Sequence, residues 1–301
     1  VSSIVVIANP ISGPSRRRLS PEQGLRRLEE MGHTPTLCLT GGPGHATELA
    51  RDAAQSGADM VLAVGGDGTV HETALGLAGT SCVLAVMPSG SGNDFARGIG
   101  CPTLADGLRA LRTGKDFPVD VGTLNGKLFF NSVGLLASGE VSGRADRIWR
   151  VLGNIRYRLA AVTALLAYKG QPVRWTLHGR EGQTETRAGD YLFAEICNGP
   201  TTGGGFRFTP DAKLGDGLLD ACLIKPVPLL TAFGLLPAAG SGKKLDHPAI
   251  SVDQCTRLEF AVDRPVAYHL DGEPDILPAG SHTIALSDKT LIVRMNPEGV
   301  A

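Results

Sequence analysis

In the first part of the chain, apolar residues gather into short runs that each stop at a glycine-rich or polar cluster. Residues 4–8, 36–39, 61–64 and 83–86 are such runs, compact and rich in valine, isoleucine and alanine. Amphipathic stretches separate them, covering residues 20–31, 45–55 and 69–77. The first of these opens with Ser20-Pro21-Glu22-Gln23, a helix-capping pattern. Strand and helix alternating at this pitch predict a parallel α/β sheet. After Phe117-Pro118-Val119-Asp120-Val121-Gly122 the pattern changes to short alternating strands. They fall at residues 127–132, 173–178, 191–197, 217–224, 257–262, 266–270 and 283–286. The expected architecture is an N-terminal parallel α/β domain, 1–122, and a C-terminal antiparallel β-sandwich domain, 123–301. One last apolar strand follows Lys289, and the tail from about 289 is expected to pack back on the first domain.

The run 61–64 ends in Gly65-Gly66-Asp67-Gly68-Thr69, a strand, tight loop and helix start. Exposed amides at Gly65, Gly66 and Gly68 suit phosphate oxygens. Asp67 would repel bare phosphate, so a cation or proton relay between the two anions is implied. A P-loop is excluded because no Gly-Lys-Ser/Thr follows, and a dinucleotide fingerprint fails at His71. The run 83–86 ends in a second loop of the same kind, Pro88-Ser89-Gly90-Ser91-Gly92-Asn93-Asp94, where Ser89, Gly90 and Ser91 repeat the small-residue logic. Ligands of open α/β sheets lie at the carboxyl ends of strands, so Asp67 and Asp94 are expected to face one cation or water network. The competing structural reading is an ordinary turn at the first loop and helix caps at Asn93 and Asp94.

Composition narrows the function. At 301 residues the chain is long enough for two cores, and a net charge of −1 argues against a nucleic-acid binder. Forty glycines are nearly twice average usage and cluster at strand ends. Six cysteines without a Cys-x-x-Cys pair read as reduced, buried thiols of a cytoplasmic protein. Residues 1–8 lack the basic region of a signal peptide, and the longest apolar run, 159–168, is too short to span a bilayer.

Taken together, the motifs resemble the soluble bacterial diacylglycerol kinase catalytic-domain family of lipid kinases, whose nucleotide fold is shared with NAD kinases. The resemblance rests on Asn9-Pro10 with Ser12-Gly13, Gly44-His45-Ala46, Gly65 to Thr69 with Glu72, Pro88 to Arg97, Val119-Asp120-Val121-Gly122, Asp216-Gly217 and Asp271-Gly272-Glu273. It implies ATP in a cleft between two domains with the lipid headgroup beside it. Asn9, Ser12, Thr40, Gly66, Thr69, Ser91 and Glu273 match ATP-contact positions. Asp67, Asp94 and Asp120 match positions that hold catalytic Mg²⁺ through carboxylates and waters. Asp271 matches the general base, and Asp216 with the carbonyls of Lys213 and Leu218 matches a structural metal site. The bottom-up alternative for Asp271 is a turn aspartate before Pro274. The family's usual lysine after Ser-Gly is absent; Arg16, Arg17 and Arg18 are the candidates to hold phosphate in its place. Ser91 replaces the usual threonine, and His71 a common asparagine.

A further segment bears on the acceptor. Ile148, Leu152, Ile155, Leu159, Val162 and Leu166 form a helical stripe, and Arg144, Arg147, Arg150, Arg156, Arg158 and Lys169 make the same segment basic. Residues 144–169 are expected either to lie on an anionic bilayer at the inner face of the membrane or to pack on the β domain. The expected activity is ATP-dependent phosphorylation of a membrane lipid, diacylglycerol by default. Sphingoid bases, ceramide or another hydroxylated lipid are the alternative acceptors. An NAD kinase, a sensor without turnover and a homodimer stay among the alternatives.

Overall fold

The computed structural model describes residues 3–10, 21–147, 160, 163–164 and 167–296. The chain divides into two compact units, Val1–Val121 with Asp288–Ala301, and Gly122–Ser287.

The first unit contains β1 (Ser3–Ala8), α1 (Pro21–Glu30), β2 (Thr34–Leu39), α2 (His45–Gln55), β3 (Met60–Gly65), α3 (Asp67–Leu77), β4 (Val83–Pro88), α4 (Asp94–Gly98) and α5 (Leu104–Thr113). Its strands are parallel in the order β2-β1-β3-β4. The chain moves from β1 outward to β2 and then returns to β3 on the other side, so the topological switch point lies between β1 and β3. Val61, Leu62 and Ala63 have no exposed surface, as expected for a parallel strand covered on both faces. Helices α2 and α3 pack closely because Gly76 has no side chain; a Cβ there would lie 2.5 Å from the Thr47 carbonyl oxygen.

The expected separate strands at 283–286 and beyond Lys289 are one continuous strand. It is β16 (Gly280–Met295), numbered after the fifteen strands before it. Its first residues pair within the second unit, and Val293 pairs in parallel with Leu84 in the first. Alternation hides this continuity, because Ser287, Asp288 and Lys289 read as a loop.

The second unit follows β5 (Lys115–Leu124), whose last residues pair with β6 (Lys127–Phe129). Then come β7 (Ser132–Leu136), α6 (Ala137–Arg147), β8 (Gln171–His178), β9 (Thr184–Tyr191), β10 (Phe193–Cys197), β11 (Leu219–Ile224), α7 (Leu229–Ser241), β12 (Ile250–Cys255), β13 (Arg257–Val262), β14 (Val266–Leu270) and β15 (Glu273–Leu277). Six antiparallel strands form one sheet, ordered β12-β11-β10-β7-β14-β15. Opposite them β16, β13, β8 and β9 pair antiparallel. One apolar core draws on both layers: Trp175 and Phe260 from one, Leu135, Ile196, Ala221 and Tyr268 from the other. In β8, Val173, Trp175 and Leu177 are buried while Pro172 and Arg174 are exposed, the period-2 pattern of a sandwich strand. The parallel α/β plus antiparallel β-sandwich architecture is therefore as expected. All six cysteines are free, and all but Cys38 are buried.

The expected single strand 127–132 is broken between β6 and β7, leaving Phe130 and Asn131 outside both. This break serves the site described next.

Candidate functional site

In the first unit the two glycine loops leave the carboxyl ends of adjacent strands, with Gly65 in register with Pro88. Asp67 is the first residue of α3, and its carboxylate accepts the amides of Asn93 at 2.8 Å and Asp94 at 2.7 Å. The loops touch through their backbones: a Cβ at Gly90 would lie 2.7 Å from the Cα of Gly66, and one at Gly92 would lie 2.7 Å from Asp67 Oδ2. Asn93 takes a left-handed conformation, φ 55°, and its buried Oδ1 has no hydrogen-bond partner. Arg97 Nε donates to the Gly92 carbonyl at 3.1 Å.

Across the switch point, Asn9 Nδ2 donates to Thr69 Oγ1 at 3.4 Å. The Thr40 amide donates to the Ala8 carbonyl at 3.0 Å. Glu72 accepts the Ala46 amide at 3.2 Å and ties α3 to the start of α2. Asn9, Thr40, Gly65, Gly66, Asp67, Gly68, Thr69, Ser89, Gly90, Ser91 and Asp94 thus all lie at the carboxyl edge of the parallel strands or in the loops leaving it. Ser12, Arg16, Arg17 and Arg18 lie outside the described residues. Asp120 is half-buried in β5.

In the second unit Asp271 forms the turn between β14 and β15 with φ 49°. Its Oδ2 accepts the Phe130 amide at 2.8 Å, and its Oδ1 accepts those of Asn131 at 2.8 Å and Ser132 at 2.9 Å. The broken strand thus turns three amides onto one carboxylate, an arrangement that holds an ionised group firmly. Glu273 is exposed at the start of β15. Asp216 lies at a separate turn, where its Oδ1 accepts the Leu218 amide at 3.1 Å and its carbonyl accepts the Arg180 guanidinium. Lys213 is exposed. Among the described residues, no three His, Cys, Asp or Glu side chains converge as a metal site.

A polar cluster escaped the sequence reading. Glu195 is 0 % exposed, and its carboxylate accepts the hydroxyls of Ser138 at 2.5 Å and Thr202 at 2.9 Å. His269 Nε2 stands 3.5 Å from Glu195 and 3.3 Å from Ser138 Oγ. Burial pushes the Glu195 carboxyl up, but His269 and the two hydroxyls outweigh it and hold it below the usual range. His269 Nδ1 accepts the Gly272 amide at 3.2 Å, which selects the neutral imidazole with its proton on Nε2. The signal was present: Glu195 sits inside the apolar strand Phe193–Cys197, where an acid needs partners.

The stripe and basic residues at 148–159, 162 and 166 lie outside the described residues. No helix among the described residues is long and apolar enough to cross a membrane.

Comparison with known proteins fits this geometry. Residues 3–124 match the diacylglycerol kinase catalytic domain, and residues 131–286 match the YegS C-terminal NAD kinase beta sandwich-like domain. A diacylglycerol kinase of Bacillus subtilis is 29% identical over 89% of this chain and 88% of its own. A probable YegS-like lipid kinase of Chromohalobacter salexigens is 32% identical over 88% of this chain and 85% of its own. The crystal structure of a diacylglycerol kinase from Bacillus anthracis shares the fold, with a TM-score of 0.74, 23% identity and coverage of 99% of this chain and 98% of that one. With both of its domains matched in order, the chain belongs to the diacylglycerol kinase and YegS-like family of lipid kinases.

Proposed function

We propose that the protein transfers the γ-phosphate of ATP to a hydroxyl of a membrane lipid, with diacylglycerol the default acceptor. The observation that carries this reading is the clasp by which Asp67 holds the Asn93 and Asp94 amides and closes two glycine loops into one cradle. Side chains at Gly66, Gly90 or Gly92 would fill that cradle, and the unpartnered Asn93 Oδ1 offers it an acceptor for a hydroxyl, amine or water.

In this reading Asn9, Ser12, Thr40, Gly65, Gly66, Gly68, Thr69, Ser89, Gly90, Ser91 and Glu273 bind ATP. Mg²⁺ fits the donor set, since it keeps several waters and needs only one or two carboxylates besides phosphate oxygens. Asp67, Asp94 and Asp120 would hold it, and it would supply charge neutralisation on the phosphates. In the same reading the Asp216 carboxylate, with the carbonyls of Lys213 and Leu218, would hold a structural cation at its own turn.

Asp271 takes the acceptor hydroxyl's proton as its oxygen bonds to phosphorus. Phosphoryl transfer asks mainly for position, and three amides fix this carboxylate in place.

The acceptor is reached at an anionic bilayer on the cytoplasmic face. Helix α7 carries no charged residue, exposes Leu229 and Leu230, and is flanked by the exposed Lys225, Lys243 and Lys244. That composition suits the membrane interface. Residues 144–169 remain a second candidate for the same contact.

The test is transfer of labelled γ-phosphate from ATP with Mg²⁺ to diacylglycerol, ceramide, sphingosine and NAD in mixed micelles. A labelled lipid supports the reading. Label on NAD alone, or none despite ATP binding, overturns it.

A further inference from the structure

The turn that carries Asp271 is a two-residue hairpin. Leu270 pairs with Glu273, and Asp271 and Gly272 between them take φ 49° and 95°. Asp-Gly with positive φ at both positions suits the tight connection of two twisted strands. The Asp271 amide donates to the Ser132 carbonyl at 2.9 Å, and the Gly272 amide to His269 Nδ1 at 3.2 Å.

Two lines of hydrogen bonds run from this turn to the buried Glu195 on β10. On one, the His269 ring that holds Gly272 brings its Nε2 to 3.5 Å from the carboxylate. That approach depends on Gly134 of β7, where a Cβ would overlap the imidazole. On the other, Thr202 donates its hydroxyl to Glu195 at 2.9 Å, and its oxygen stands 3.0 Å from Ser132 Oγ. The Ser132 amide is one of the three on the Asp271 carboxylate.

An acid inside an apolar strand costs stability, and a glutamine would fill the same space without the charge. What the charge supplies is direction. An ionised carboxylate only accepts, so Ser138 and Thr202 donate to it, and Ser132 in turn donates to Thr202. The imidazole presents its proton on Nε2 and keeps Nδ1 open for the Gly272 amide. The same directions exclude a hydrolase triad: Ser138 gives its proton to Glu195, and the Nε2 facing it is already protonated.

Resting on the reading of Asp271 as the base, we infer that Glu195 and His269 are positioning residues for phosphoryl transfer. The buried acid sets the direction of both hydrogen-bond lines, and these hold the Asp271 turn in its working geometry.

The test joins kinetics to a spectroscopic signature, both on the full chain. Glu195→Gln brings an extra donor into the cluster, and His269→Gln leaves Gly272 without its acceptor. Each should lower kcat at least about tenfold, with KM for ATP and for a short-chain diacylglycerol within about threefold. His269→Asn, whose Oδ1 can take the place of Nδ1, should recover all but about threefold of that loss. In an Asp271→Asn background the same glutamine substitutions should cost less than about twofold, because their effect passes through that carboxylate. Equal losses in both backgrounds, or a His269→Gln protein as active as the wild type, overturn the positioning role. Nitrogen NMR of the wild type should show His269 protonated on Nε2 and not on Nδ1. The Gly272 amide should exchange at least about 100-fold more slowly than in an unfolded chain. A proton on Nδ1 or an unprotected Gly272 overturns the inference even where a variant fails to fold. A wild type with this signature and no transfer to any lipid would overturn the kinase reading and leave the anchored turn standing.

Discussion

Asp67 accepts the backbone amide of Asp94 at 2.7 Å, so an acid at the start of one helix closes the loop that opens the next. Its other oxygen takes the Asn93 amide, and the pair acts as a latch between loops. In Asp67→Asn one of these oxygens becomes an N–H donor facing another N–H. The expected loss is about 1 kcal/mol of stability, the lower end of the cost of an unsatisfied donor, because the latch is only half-buried. ATP affinity should fall at least tenfold, read by titration calorimetry. Gly90→Ala attacks the same latch sterically, because its methyl meets Gly66 Cα. It should lower ATP affinity while leaving the second unit's lipid binding intact. Wild-type ATP binding in both variants would remove the cradle from the nucleotide site.

Asp271 invites a substitution that needs two readouts. Asp271→Asn preserves an acceptor for Asn131 and Ser132 but turns an amide nitrogen toward the Phe130 N–H. A loss of activity alone would not separate a missing base from a displaced turn. At a temperature well below the melting point of both proteins, kcat should fall at least about 100-fold, the usual scale of a lost general base. KM for ATP should stay within a few-fold. A proportional rise in KM for the lipid, with kcat retained, would make Asp271 a positioning residue instead.

A titration in the second unit gives a pH signature unrelated to catalysis. Burial pushes the Asp220 carboxyl from 3.8 up to about 6, against a weak bond from Gln254. The folded value lies above the unfolded one, so the folded state binds more protons between them. The penalty for holding this charge is therefore absent below about pH 4 and complete above about pH 6. Asp220→Asn should stabilise the protein by about 2–3 kcal/mol at pH 8 and change it little at pH 4. Equal melting shifts at both pH values would show that Asp220 does not titrate this way.

What could be read from the sequence was what is encoded locally. Each strand-loop-helix repeat in residues 1–113 carries its own apolar run and its own punctuation, so the parallel sheet and both glycine loops were visible. The change of period after Gly122 announced the sandwich for the same reason. What escaped depends on residues far apart. The break at Phe130 and Asn131 looks like an uninterrupted strand until Asp271, 141 positions beyond Phe130, claims its amide. Strand β9, Thr-Glu-Thr-Arg-Ala-Gly-Asp-Tyr, is polar on both faces because most of it is exposed, so no alternation marks it. A pocket bounded by Ser138, Phe206 and Leu236 joins α6, α7 and the loop around Phe206, which share no common pattern. In the apolar stretch 227–239 Pro228 and Pro237 look like two breaks, yet Pro228 caps helix α7 and Pro237 sits inside it.

That helix supplies the last prediction. Leu230 is 87 % exposed and Leu229 is 40 % exposed, so replacing both by serine removes little packing and should move stability by no more than about 0.5 kcal/mol. Their apolar surface is instead available to a bilayer, with Lys225 and Lys243 beside it for anionic headgroups and Lys244 shared with Asp211 at 2.6 Å. Sedimentation with phosphatidylserine vesicles should show binding weakened several-fold in the double variant. Lys243→Glu with Lys244→Glu should weaken it further at low salt than at high salt, because the contribution is screened. A soluble short-chain diacylglycerol should still be phosphorylated at the wild-type rate by both, since neither change touches the Asp67 latch or Asp271. The same assay on Arg147→Glu, Arg150→Glu and Arg158→Glu decides between surfaces. Loss of vesicle binding there, with the leucine variant unchanged, would move the membrane contact from α7 to residues 144–169.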